Sequence, residues 1–109
     1  MKDSMMRIEN VLRPGKTYTV NGEKYAAMQK AVLAVTPLEP PGASVRELQA
    51  AVLGHLPEAL FPGGSTAGWW FKAVQLDLEA KSVLVRSTGT PLRLRKTVEA
   101  NSRLHGEPG

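Results

Sequence analysis

The chain has no cysteine, which excludes disulfides, thiolate metal sites and a cysteine nucleophile and leaves its redox compartment unmarked. Histidine is nearly as scarce. His55 and His105 fall on different elements, and neither has a second histidine or a carboxylate at metal-ligand spacing, so no metal or cofactor is expected. No run approaches the ~20 apolar residues of a membrane span, and Met1 to Arg7 lacks the apolar core of a secretory signal. The expectation is a soluble, cytoplasmic protein. A Walker loop is missing as well, because no lysine precedes Ser65 after Gly63 and Gly64. Asp77 and Glu79, two apart on a helix, point in different directions and make no paired-carboxylate site. These absences argue against an enzyme.

With 109 residues, 42% of them hydrophobic, the chain can build one core but hardly two. Prolines and glycines divide it. Met1 to Arg13 shows no clean period and reads as an arm, whose Ile8, Val11 and Leu12 could dock on the domain or on a second copy as a homodimer contact. The domain proper is expected over residues 14–96. Lys16 to Val20 alternates with β-favouring residues and suggests a short strand. Asn21 is a plausible N-cap for a helix from Gly22 to Val35, with Tyr25, Met28, Val32 and Val35 at helical spacing and a stop at Thr36-Pro37. Pro37, Pro40, Pro41 and Gly42 enforce a non-helical connection. Ser44-Val45-Arg46-Glu47 matches a capping box that opens a second helix, with Val45, Leu48, Val52 and Leu56 inward, ending before Pro57. Leu60 and Phe61 are placed to plug the gap left by the longer turn that follows.

A third helix, about Ala67 to Lys81, is the expected hub, with Gly63, Gly64, Ser65 and Thr66 breaking the preceding chain and supplying an N-cap. On a wheel of ~100° per residue, Trp70, Val74, Leu78 and Phe71 form one apolar sector and Trp69, Ala73, Leu76 and Ala80 another, leaving a narrow polar strip of Lys72, Gln75 and Glu79. Trp69 and Trp70 are more often core anchors than stacking platforms; if one is exposed, it is Trp69.

Immediately after it, Val83 to Arg86 and Leu92 to Lys96 flank Ser87-Thr88-Gly89-Thr90-Pro91. The excess charge of +4 concentrates here: Lys81, Arg86, Arg93, Arg95 and Lys96 with no acid between them. With Thr88-Gly89 as a two-residue loop, Val85 faces Leu92 and Val83 faces Leu94, so Arg86, Arg93 and Arg95 point outward and only Leu84 is misplaced. Thr97 to Gly109 loses its pattern and reads as a mobile tail.

Three helices and a basic hairpin follow the order of the winged helix-turn-helix domains, and Leu78-Glu79-Ala80-Lys81-Ser82-Val83-Leu84-Val85-Arg86 resembles their junction of recognition helix and wing, with Ser82 where glycine is usual. Together, Pro14-Gly15-Lys16-Thr17, Leu60-Phe61-Pro62-Gly63-Gly64, Gly68-Trp69-Trp70 and Val74 to Lys81 resemble a family of small bacterial proteins of unknown function. The resemblance implies an α+β fold, a three-helix winged helix-turn-helix with a C-terminal two-stranded β-hairpin wing, and brings no activity.

On that fold the wing residues Arg86, Arg93, Arg95 and Lys96 would grip phosphates of duplex DNA. The loop Gly64-Ser65-Thr66 would offer backbone N–H groups to another phosphate, and Lys72 and Gln75 would face the bases. Each feature also has an ordinary structural use: charge that guards a hairpin edge, a turn with a cap, a solvated helix face. A DNA-binding regulator is therefore one expectation. The other is a protein-interaction or dimerisation module that binds no nucleic acid and uses Ile8, Val11 and Leu12 with an exposed Trp69 or Leu76.

Overall fold

In the computed structural model, which describes residues 5–87 and 89–97, the chain is a mixed α+β domain of three helices and two small antiparallel sheets. The stretch expected as a patternless arm is instead a strand, β1 (Met5–Glu9), paired antiparallel with β2 (Thr17–Asn21). Met6 and Ile8 turn inward while Met5, Arg7 and Glu9 face out, and Ile8 is in the core. Asn10 makes the turn, its Oδ1 accepting the Leu12 N–H at 2.8 Å and its carbonyl accepting the Arg13 N–H at 2.9 Å.

Helix α1 (Gly22–Val35) starts where Asn21 Oδ1 accepts the Lys24 N–H and stops at Thr36, whose hydroxyl and N–H both donate to the Val32 carbonyl ahead of Pro37. A two-residue strand, β3 (Ala43–Ser44), precedes α2 (Val45–Val52). Both bonds of the capping box form, Glu47 N–H to Ser44 Oγ at 3.2 Å and Ser44 N–H to Glu47 Oε1 at 2.9 Å. These bonds hold the Glu47 carboxyl below the ordinary range, that from the Ser44 backbone most. Phe61 plugs the core in the turn after α2, as its placement suggested.

Helix α3 (Ala67–Ala80) is the hub, with nine buried residues including Trp70, Phe71, Val74 and Leu78. Thr66 does not cap it: its backbone is left-handed (φ 60°) and its hydroxyl donates to the Ser65 carbonyl instead. The C-terminus closes with the N–H of Ser82 on the Glu79 carbonyl and that of Val83 on the Leu78 carbonyl, the pairing that puts Ser82 at φ 62° where glycine is favoured. That geometry explains the glycine-like position noted at Ser82.

The C-terminal hairpin, β4 (Leu84–Arg86) and β5 (Arg93–Lys96), is joined by β3 into a sheet of order β3-β5-β4. Its register corrects the expected one. Leu84 pairs with Lys96, Val85 with Arg95 and Arg86 with Leu94, because the connection is longer than two residues and includes Pro91, which has no N–H to give the ladder. The odd shift reverses β4 relative to the expectation, so Leu84 joins the core and Arg86 turns toward α3. Gly42, at φ 86°, lets β3 approach β5 so closely that a Cβ there would lie 2.4 Å from the Leu94 carbonyl oxygen.

Candidate functional site

Two carboxylates on α3 determine which of its faces remain open. Asp77 is completely buried and accepts three donors, the Glu9 N–H at 2.8 Å, the Lys81 ammonium at 2.8 Å and the Tyr25 hydroxyl, so it fastens the N-terminal hairpin and α1 to α3. Burial first, and the neighbouring carboxylate second, push the Tyr25 phenol well above its usual range. Glu79 fastens the other sheet. It receives Arg86 through Nε at 2.5 Å and Nη2 at 3.0 Å, a bidentate pair that raises the guanidinium pKa, and also accepts the Gln75 amide at 2.8 Å.

The polar strip expected to read bases is thereby mostly closed. Gln75 is 3% exposed and Glu79 9%, and only Lys72 remains at the surface. Arg86 stays at the surface but is tied to Glu79, and Lys96 is buried with its ammonium donating to the Leu33 carbonyl at 3.0 Å, where a cation complements the C-terminal end of α1. Arg93 and Arg95 do share the outer face of β5, half-exposed, with Arg93 Nη1 3.9 Å from Glu47. Gly64 is half-buried, and Ser65 and Thr66 lie exposed in the loop before α3. Of the nine residues, the structure thus joins Gln75 and Arg86 through Glu79, with Gln75 buried and Arg86 at the surface, and keeps Arg93 with Arg95 on the outer face of β5.

The open feature lies beside that strip on α3, with Lys72 on the edge the two share. Trp69, 59% exposed, stands edge-on against buried Trp70 with ring centroids 5.0 Å apart. Beside it is a groove of about 350 Å³ between the N-terminal hairpin and α3, walled by Ile8, Tyr18, Val20, Trp69, Ala73 and Leu76, with Glu9, Asn10, Thr19 and Lys72 among its polar lining. Its volume falls in the range of sites that take a small apolar segment or ligand. Tyr18, Val20 and Ala73 carry no site signal in the sequence; only the exposure of Trp69 and the apolar character of Ile8 and Leu76 do. The alternation of Met6 and Ile8 against Arg7 and Glu9 is the one trace of the hairpin wall in the sequence, too short to identify it alone. Among the described residues no group of three His, Asp or Glu could hold a metal ion, and no helix is long and apolar enough to cross a membrane.

A model of a family of unknown function, DUF6958, matches residues 5–94, and the chain belongs to that family. No curated protein and no solved structure matches it.

Proposed function

We propose that this family member is a protein-interaction module of winged-helix type, a binding protein and not an enzyme, whose working surface is the groove between β1–β2 and α3. The order of three helices and a C-terminal hairpin supports the winged-helix part of the reading. One contrast carries the functional part: Gln75 on the expected base-reading strip is 3% exposed, whereas Trp69 on the groove is 59% exposed. An exposed tryptophan on an apolar recess is the kind of residue that dominates protein interfaces, because it removes a large apolar area from water at little cost in side-chain entropy. The partner is an apolar, aromatic-rich protein segment.

Selection of a random peptide library on the folded protein tests this. Selected peptides should be apolar and should lose at least tenfold in affinity for a Trp69→Ala, Ala73→Arg variant whose circular dichroism is unchanged. Peptides that bind the variant equally, or a selection that yields none, would count against it.

A second reading is supported by the outer face of β5, where Arg93 and Arg95 stand together: contact with phosphates of duplex DNA through the wing and not through α3. It predicts affinity for random duplex that falls steeply with salt, with a log-log slope that Arg93→Ala or Arg95→Ala lowers by ~0.9 for each phosphate left without its cation. A wild-type protein with no duplex binding at low salt would eliminate it.

A further inference from the structure

The hairpin that walls the groove has only two strands, and among the described residues no strand pairs with the outer edge of β2. Thr17-Tyr18-Thr19-Val20-Asn21 contains no charge, no proline and no glycine, so it has none of the residues that usually keep an exposed edge from accepting another strand. Its neighbour β1 does carry charge, in Arg7 and Glu9.

We propose that this edge is a self-association surface, on which β2 of a second copy pairs antiparallel about a two-fold axis through Thr19. The inference rests on the interaction role of this face proposed above and adds to the groove's partner a second copy of the chain, paired along the edge of β2. Turned about its midpoint, the strand complements itself. Thr19 opposes the other Thr19, Thr17 opposes Asn21, and Tyr18 opposes Val20. Threonine pairs and pairs of an aromatic with a β-branched residue are favourable directly opposite each other in a sheet. Tyr18 and Val20 both line the groove, so each pairing sets the half-exposed Tyr18 ring of one copy beside the groove wall of the other.

Charge also permits it. A two-fold axis forces any charged residue near it against its own copy, and β2 has none. The closest like charges on the same row are Arg7, which opposes Thr19 within the hairpin, and its copy. They would stand three strand spacings, ~14 Å, apart, beyond the ~8 Å screening length at physiological salt. The contact is isologous and closes at two chains. It also converts a two-stranded sheet, marginal alone, into four strands.

The absence of native cysteine makes a crosslinking test clean. In the full chain, Thr19→Cys places two thiols directly opposite, with Cα atoms ~4.5 to 5.5 Å apart, inside the range a disulfide spans. Thr17→Cys in the same pairing leaves its thiols ~13 Å apart, since each opposes Asn21. Mild oxidation should therefore give a covalent dimer with Thr19→Cys and none with Thr17→Cys. Light scattering should give the wild type twice the chain mass and Thr19→Lys the single mass, with unchanged circular dichroism. Equal crosslinking of both cysteine variants, or a dimer that survives Thr19→Lys, would overturn the proposal. A monomeric wild type that still binds apolar peptides through Trp69 would overturn self-association while leaving the interaction reading intact.

Discussion

The two sheets are fastened to the same helix by carboxylates two residues apart, yet they present opposite surfaces. At the C-terminal sheet, two of the four basic side chains are tied to the body of the domain, Arg86 to Glu79 from the surface and buried Lys96 to the Leu33 carbonyl. At the N-terminal sheet the fastening is by Asp77 beneath the hairpin, and the strand whose outer edge pairs with no other among the described residues is uncharged and flanks an apolar groove. Concentration of charge in a sequence therefore does not locate a binding surface. A charge that completes a buried carboxylate is structural, and the neutral region can be the one left without a partner.

The largest effect should come from breaking the N-terminal fastening. Asp77→Ala strands a buried hydroxyl and a backbone N–H and releases an ammonium, and should cost ~3 to 5 kcal/mol in denaturant unfolding, the range for opening a buried charged network. The same cluster gives a pH signature. The folded-state pKa of Tyr25 lies above its unfolded value of 10.0, so its contribution is fully present below pH ~10 and is lost as pH rises further, when the unfolded chain ionises first. Stability should fall above pH ~10 in the wild type, and Tyr25→Phe should flatten that fall while lowering stability at neutral pH. A flat alkaline profile in the wild type would show that the phenol is not held as described.

Breaking the C-terminal fastening should cost less, because the Arg86 side chain is 38% exposed and water can partly replace it. Arg86→Ala should destabilise by ~2 kcal/mol through the loss of charge-assisted bonds to buried Glu79. Ser82→Gly should stabilise by ~0.5 to 1 kcal/mol, since it relieves a left-handed backbone at the junction of α3 and β4, offset by the looser unfolded chain. Arg95→Ala, from the outer face, should stay within ~0.5 kcal/mol. Thermal or denaturant melts of the set would sharpen the contrast; equal effects of Arg86→Ala and Arg95→Ala would erase it.

Much of the helical body was legible in the chain. Asn21, the Ser44–Glu47 box and Pro37 act within one turn, so the bounds of α1 and the start of α2 followed from neighbouring residues. Apolar spacing alone separated buried Trp70 from exposed Trp69. What escaped depended on distant partners. Five residues of β1 alternate too briefly to announce a strand until β2 and Asp77 accept them. Thr88-Gly89 looks like a sufficient hairpin loop, but the longer connection is held by the pairing of β5 with β3 and the bond from the Lys96 N–H to the Pro37 carbonyl, beyond what Pro91 alone signals. Gln75 and Glu79 read as a solvated strip because a helical wheel knows nothing of Arg86. Hence the groove, made by β1, β2 and α3 together, was visible only as its separate residues Ile8, Trp69 and Leu76.

The central claim is that α3 presents Trp69, and not its polar strip, to a partner. It is tested most directly by the fluorescence of Trp69 in a Trp70→Phe chain, titrated in parallel with a selected apolar peptide and with random duplex DNA at low salt. The account predicts a blue shift and protection from acrylamide quenching with the peptide, and neither with the duplex. Protection by the duplex, or a peptide that binds and leaves the indole as exposed as before, would contradict it.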